Sequence, residues 1–203
     1  SPIVKILPLV SRKLSIPSMK SFKMFACDGT TPVREINVEG TLKDQGVEVR
    51  FVDPTDPENF RRATDLRTRA YYAETLPNPK LCVFPISEVA SIGKEFGIPL
   101  IIDNTAAPLL ARPFDHGAAI IVYSTTKYLA GHGTSIGGAI IDSGKFDWEK
   151  NPQRQPALTT PDPSYHGAIW VEAVRPIGPV AYAIKARTTL LRDLGSAISP
   201  FNA

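Results

Sequence analysis

Cysteine is scarce: the 203 residues contain two, Cys27 and Cys82. They lie far apart and form no Cys-x-x-Cys pair, which excludes a disulfide framework and a zinc-ligand set and fits a reducing, cytosolic compartment. The histidines are as few. His116, His132 and His166 each stand beside a glycine without metal-ligand spacing, so they read as turn or site-lining residues and no metal is expected. No apolar run approaches the ~20 residues of a membrane span, so no membrane partner is expected. An excess of positive charge is also missing. Lys and Arg number 23 against 20 Asp and Glu, a formal charge of +3, and they are scattered without interleaved aromatics, which argues against nucleic-acid binding. No internal repeat or low-complexity tract is present. Acids are absent from the first 27 residues, where Lys5, Arg12, Lys13, Lys20 and Lys23 occur with serines and prolines. Residues 1–26 are therefore compositionally close to an organellar transit segment, although prolines at 2, 8 and 17 break any long amphipathic helix.

What is present is ordinary for a globular protein: 43% hydrophobic and 21% charged residues. A chain of this length makes one large domain or two small ones and can bury roughly 70% of its unfolded surface. The densest chemistry lies in Tyr123-Ser-Thr-Thr-Lys127-Tyr-Leu-Ala-Gly-His-Gly133 and the following Thr134-Ser-Ile-Gly-Gly138. Upstream, Ala118–Tyr123 is an apolar, β-branched run that predicts a buried strand, and Gly137–Asp142 predicts a second. Lys127 is thus expected at the end of a core strand. A lysine pressed against buried strands loses hydration and keeps some neutral, nucleophilic amine, the species that Schiff-base chemistry needs. Ser124, Thr125 and Thr126 place hydroxyls beside it, and Gly131, Gly133, Gly137 and Gly138 permit close approach of the backbone to a ligand.

Further strands are expected over Glu48–Asp53, Ala70–Glu74 and Pro99–Asp103, the last without polar alternation and so buried on both faces. Helices are expected over Glu58–Ala63, over Ile86–Phe96 with Gly97 as its stop, and over Ile184–Leu194. Residues 150–164 carry four prolines and read as loop. Strands alternating with helices specify βαβ units and a parallel sheet, whose ligands sit beyond the carboxyl ends of the strands. Glu74, Asp103 and Lys127 all fall at such ends and are expected to face one crevice. Asp103 alone could serve as a helix cap or a loop-orienting acid. Paired with Lys127, it supplies the carboxylate and amine that a pyridoxal phosphate enzyme requires, the acid for the pyridine nitrogen and the lysine for the aldehyde.

The run Tyr123–Gly133 resembles the lysine signature of the Cys/Met-metabolism family of pyridoxal phosphate enzymes. Phe51-Val-Asp-Pro, Pro57-Glu-Asn-Phe60, Tyr72-Ala-Glu-Thr75, Asn78-Pro-Lys-Leu81, Gly97–Thr105, Gly133–Gly138, Gly144–Trp148 and Thr160–Gly167 are similar to phrases of its sulfhydrylase branch, in the same order. The resemblance covers roughly 41–203. It implies an α/β fold, the fold-type I large domain, an αβα sandwich around a mainly parallel sheet. Residues 1–40 then form an atypical N-terminal segment and 41–203 part of the cofactor-binding domain, without the smaller carboxy-terminal domain. The resemblance also implies a cofactor, pyridoxal 5'-phosphate, with Lys127 as Schiff-base lysine and proton shuttle. Asp103 would partner the pyridine nitrogen, Ser124 and Thr126 would bind the phosphate, and Asn78 would lie near the phenolic oxygen. The implied reaction is γ-replacement, in which O-acetylhomoserine and sulfide give homocysteine and acetate in a homotetramer. A γ-lyase of the same family and a non-catalytic fragment are the alternatives. The family's stacking tyrosine before Gly-Gly-Thr has only Cys27-Asp28-Gly29-Thr30 as counterpart, and its Ser-Gly-Met phosphate loop has none. Ala119 stands where the signature carries an acid.

Overall fold

The structure is a computed structural model that describes residues 4–6, 22–27, 46–77, 81–195 and 197–202. Seven strands form one sheet: β1 (Val4–Ile6), β2 (Phe22–Cys27), β3 (Val47–Val52), β4 (Thr68–Glu74), β5 (Leu100–Asp103), β6 (Ile120–Ser124) and β7 (Gly138–Asp142). Their order is β1-β7-β6-β5-β4-β2-β3. The pairings from β3 through β2, β4 and β5 to β6 are parallel, and β7 is antiparallel to both β6 and β1. The expected mainly parallel α/β sheet is therefore present, with an antiparallel margin that the hydroxyl-rich turn between β6 and β7 makes possible. The sheet also takes in β1 and β2, from the segment before residue 41.

Helices α1 (Glu58–Ala63) and α2 (Ile86–Phe96) form where they are expected, α1 from the acid in its first turn and α2 from its 3.6-residue period. Helix α2 turns Ile86, Val89, Ala90 and Ile92 into the core, and full burial of each large aliphatic side chain is worth roughly 1.5–3 kcal/mol. It stops at Gly97 in the left-handed conformation (φ 69°), whose N–H returns to the Gly93 and Lys94 carbonyls. These side chains meet Tyr71, Ala73, Leu100 and Ile102 from the sheet, together with Phe60, Phe84 and Ile98. Phe60 sets its edge against Tyr71 (5.4 Å between centroids) and Phe84 (5.9 Å).

The opposite face of the sheet presents Ile101, Ile120, Val122 and Ile140 to a second cluster of Trp148, Leu158, Trp170, Val174 and Ala181. The period-2 geometry of β5 explains the division, with Leu100 and Ile102 on one face and Ile101 and Asp103 on the other. Ile101 and Asp103 are half-buried, so β5 is covered less completely than its apolar run predicts. The second cluster belongs to a layer of short helices: α3 (Pro156–Thr159), α4 (Trp170–Ala173) and α5 (Ala181–Ala186), the last continuing as a wider turn over Arg187–Asp193. The helix expected over 184–194 thus starts three residues earlier. Frequent prolines cut the layer into pieces too short to show a period.

Two charged clasps fasten this layer. Arg154 is buried (5% exposed) and donates from Nη1 to the carbonyls of Asp65 (2.7 Å) and Thr68 (2.8 Å) at the start of β4. Asp162 accepts from Lys185, from Trp170 Nε1 (2.9 Å) and from the Ser164 N–H (3.0 Å). The Lys185 ammonium lies over the Tyr165 and Trp170 rings.

Candidate functional site

At the carboxyl end of the parallel strands, register places Glu74 of β4 directly beside Asp103 of β5, and Asp103 beside Val122 of β6. Paired residues point to the same face, so the two acids share a level at the mouth of the sheet. The Asp103 carboxylate is held on both oxygens. The Thr105 N–H donates to Oδ1 (2.9 Å) and the Tyr72 phenol donates to Oδ2 (3.2 Å). Thr105 then joins β5 to β6, because its Oγ1 accepts from the Ser124 N–H at 2.7 Å.

Beneath this level sits Asn104, fully buried. Its Oδ1 accepts from Thr75 Oγ1 (2.7 Å), and its Nδ2 donates to Tyr123 Oη (3.0 Å) and to the Ala111 carbonyl (3.1 Å). One satisfied amide thus binds the exits of β4, β5 and β6 together, and a buried network of this kind rigidifies what it connects.

From Ser124 the chain enters a single wide turn, Thr125–Leu129, kinked at Lys127 (φ −92°, ψ −114°). The Thr125 N–H donates to the Gly137 carbonyl (3.0 Å), and the Gly137 N–H donates back to Thr126 Oγ1 (2.9 Å). The turn is therefore pinned to the start of β7. The Thr126 hydroxyl's own proton faces the Gly137 carbonyl at 3.3 Å, a long contact that an anionic oxygen would displace. Among the described residues the Ser124 hydroxyl has no protein partner. Gly131 and Gly133, with φ of 80° and 68°, let the chain double back before β7.

Lys127 corrects one expectation. It is exposed, not pressed against the strands, because the kinked turn carries it past the end of β6. Two displaced titrations lie where the covering layer packs on β7. Burial pushes the Tyr182 phenol up to about 12, with the Asp142 charge adding to it. Burial likewise pushes the Asp142 carboxyl up, against hydrogen bonds from the Gly144 and Ala183 N–H groups.

Of the residues singled out by sequence, Asp103, Ser124, Thr126 and Lys127 come to the carboxyl ends of adjoining strands, and Asn78 lies outside the described residues. Sequence alone does not single out Tyr72 or Thr105 as site residues. The signal for Tyr72 was its position two residues before Glu74 on the same strand face. Among the described residues no group of His, Cys, Asp and Glu could hold a metal ion, and no helix is long and apolar enough to cross a membrane. The donor set is one held carboxylate, one open amine, one unpartnered hydroxyl and one hydroxyl already aligned by an amide. It fits the nitrogen, aldehyde and phosphate of a phosphorylated pyridine aldehyde.

The sequence pattern of the Cys/Met metabolism PLP-dependent enzymes matches residues 33–203. The chain belongs to this family. Among curated Cys/Met enzymes it is 52% identical over 169 residues to the O-acetyl-L-homoserine sulfhydrylase of Leptospira meyeri, covering 80% of this chain and 38% of that protein. It is 44% identical over 163 residues to the homocysteine/cysteine synthase of Saccharomyces cerevisiae, covering 79% and 36%. Among solved structures it resembles an O-acetylhomoserine (thiol)-lyase from Campylobacter jejuni that carries N'-pyridoxyl-lysine-5'-monophosphate. The TM-score is 0.79 at 34% identity, over 89% of this chain and 44% of that one. An O-acetylhomoserine sulfhydrylase of Wolinella succinogenes follows with a TM-score of 0.68 at 30% identity, over 89% and 48%. The fold is thus that of the PLP-dependent fold-type I enzymes, and the chain spans less than two fifths of the length of these curated relatives.

Proposed function

We propose that the protein to which this chain belongs catalyses γ-replacement, converting O-acetylhomoserine and sulfide into homocysteine and acetate with pyridoxal 5'-phosphate. In this reading residues 41–203 are part of the cofactor-binding large domain, and the first 40 residues lend it β1 and β2. The observation that carries the reading is Asp103: a carboxylate held on both oxygens at the strand mouth, one crossover before an open lysine.

The bound cofactor supplies an electron sink for charge that develops at the substrate Cα. Asp103 holds a proton at the cofactor's pyridine nitrogen by offering it a fixed anionic oxygen. Ser124 donates its free hydroxyl to the phosphate, and Thr126 swings its proton from the Gly137 carbonyl to the same anion while the Gly137 N–H keeps its oxygen in place. Lys127 would hold the cofactor aldehyde through Nζ. When its amine is free, that Nζ would take the proton from the substrate Cα and return it later in the cycle. Its open position gives Nζ the freedom to make both moves. The family resemblance assigns Asn78, outside the described residues, to the phenolic oxygen.

A cytosolic homo-oligomer, in family terms a homotetramer, completes the reading. It is supported by the large apolar side chains left exposed on loops beyond the strand mouths: Leu81, Leu109, Leu110, Tyr128 and Ile136. Borohydride reduction of the cofactor-loaded protein followed by peptide mass analysis tests the site. A pyridoxyl adduct is expected on the Lys127 peptide and none in Lys127→Ala; an adduct elsewhere refutes the assignment. Release of acetate with homocysteine, against ammonia with an oxo-acid, separates γ-replacement from a γ-lyase.

A further inference from the structure

We infer that Tyr72 is a positioning residue for Asp103, acting across the strand boundary to hold the carboxylate in the plane from which it meets the cofactor nitrogen. The inference rests on the proposed cofactor site and concerns a residue that touches Asp103, not the reacting atoms.

Three observations support it. First, register pairs Tyr72 with Ile101 and Glu74 with Asp103, so by the two-residue period Tyr72 rises on the same face as Asp103, one step below it. Second, the phenol donates to Oδ2 at 3.2 Å while the Thr105 N–H takes Oδ1 at 2.9 Å. The Thr105 bond is local and fixes one oxygen to its own turn. The carboxylate can still rotate about that oxygen, and the Tyr72 bond, coming from the neighbouring strand, removes the rotation. Third, the adjoining tyrosine does something else. Tyr71 points to the opposite face, is fully buried and bonds Thr64 Oγ1 at 2.5 Å. Two consecutive tyrosines on one strand thus divide into a core residue and a site residue, which makes Tyr71 a built-in control for Tyr72.

The length of the Tyr72 bond sets the size of the effect. At 3.2 Å it is longer than the roughly 2.5–3.0 Å usual for an O–H···O contact, which keeps the effect small. Its loss should weaken cofactor binding by about tenfold, or about 1.4 kcal/mol.

The test compares the full-length wild type with Tyr72→Phe and Tyr71→Phe, using pyridoxal 5'-phosphate as the probe. Three quantities are measured: the cofactor dissociation constant, the pH profile of the bound cofactor's visible absorbance, and the melting temperature of the cofactor-free protein. For Tyr72→Phe the expectation is an approximately tenfold higher dissociation constant and a displaced absorbance midpoint, with melting unchanged. For Tyr71→Phe it is lower melting with wild-type affinity and profile. If Tyr72→Phe keeps the wild-type affinity and profile while borohydride still fixes an adduct on wild-type Lys127, the inference is wrong and the cofactor site stands. If Tyr72→Phe loses affinity only along with a Tyr71→Phe-like loss of melting temperature and with an undisturbed pH profile, Tyr72 is structural and the inference is again wrong. If wild-type Lys127 takes no adduct at all, the cofactor site and this inference fall together.

Discussion

Replacing Arg154 with methionine tests whether one guanidinium fastens the covering layer to the sheet. Methionine keeps an unbranched apolar stem, so the change removes mainly the charged head. Two carbonyls, half-buried at Asp65 and buried at Thr68, lose the Nη1 donor. The Asp65 carbonyl also accepts the Thr68 N–H at 3.2 Å and keeps that partner, so its loss is about 1 kcal/mol. The Thr68 carbonyl loses a 2.8 Å bond to a charged donor, and stripping a buried acceptor costs roughly 1–3 kcal/mol. Part of this is offset. Burial holds the Arg154 guanidinium below its ordinary pKa, its Nε has no partner among the described residues, and its charge opposes that of Arg69. Removing a poorly solvated cation relieves those costs. The net expectation is a loss of about 2–3 kcal/mol, and at roughly 2–4 °C per kcal/mol for a chain of this size the melting temperature should fall about 4–12 °C. Urea unfolding followed by circular dichroism gives the first number, and hydrogen exchange of the early β4 amides locates it. A loss below about 0.5 kcal/mol with unchanged exchange would falsify the clasp, because both carbonyls would then be satisfied without Arg154.

Asp162 provides a pH-dependent counterpart. Burial pushes its carboxyl up, but the Lys185 ammonium, the Trp170 indole and the Ser164 N–H more than offset this, so it titrates below the ordinary 3.8. A depressed folded value means that its stabilisation is complete above the unfolded value and is lost as pH falls through the folded one. Wild type should therefore weaken below about pH 4, and Asp162→Asn should be about 3 kcal/mol less stable at neutral pH with a flatter acid limb; equal acid limbs by circular dichroism would refute the assignment. In α2, Gly93→Ala should lose about 2 kcal/mol in urea unfolding despite a helix-propensity gain of up to about 1 kcal/mol. The new Cβ would lie 2.5 Å from the Ile98 carbonyl and 3.4 Å from the Tyr71 ring, and a neutral or stabilising result would mean that this backbone yields.

The α/β architecture was legible wherever apolar spacing and a terminator coincided. Helix α2 has both in Ile86, Val89, Ile92 and Gly97, and its observed ends agree with the expected ones. Strands β3 to β7 were legible to within two residues, since their edges depend on hydrogen bonds that spacing does not record. The covering layer was not, because the prolines that punctuate it suppress any period, and Arg154 there looks like one more loop arginine. In the site, the chemical identities of Asp103, Ser124, Thr126 and Lys127 were legible, but their environments were not. Burial of Lys127 was inferred from apolar neighbours in sequence, whereas its exposure comes from a kink one turn past the strand. Tyr72 and Thr105 act through bonds between strands, and register cannot be read before the sheet order is known.

That order gives β2 a role beyond filling a place in the sheet. β3 reaches the rest of the sheet through β2, which pairs with β3 on one side and β4 on the other. Opening the β2–β4 seam therefore releases two strands together, and the pair behaves as a hinged flap with a single cooperative opening energy. Amides of Val47–Val52 and Phe22–Cys27 should exchange in step, while β5 and β6, which carry Asp103 and the approach to Lys127, keep their protection. The fold thus separates the part of the sheet that can open from the part that holds the chemistry.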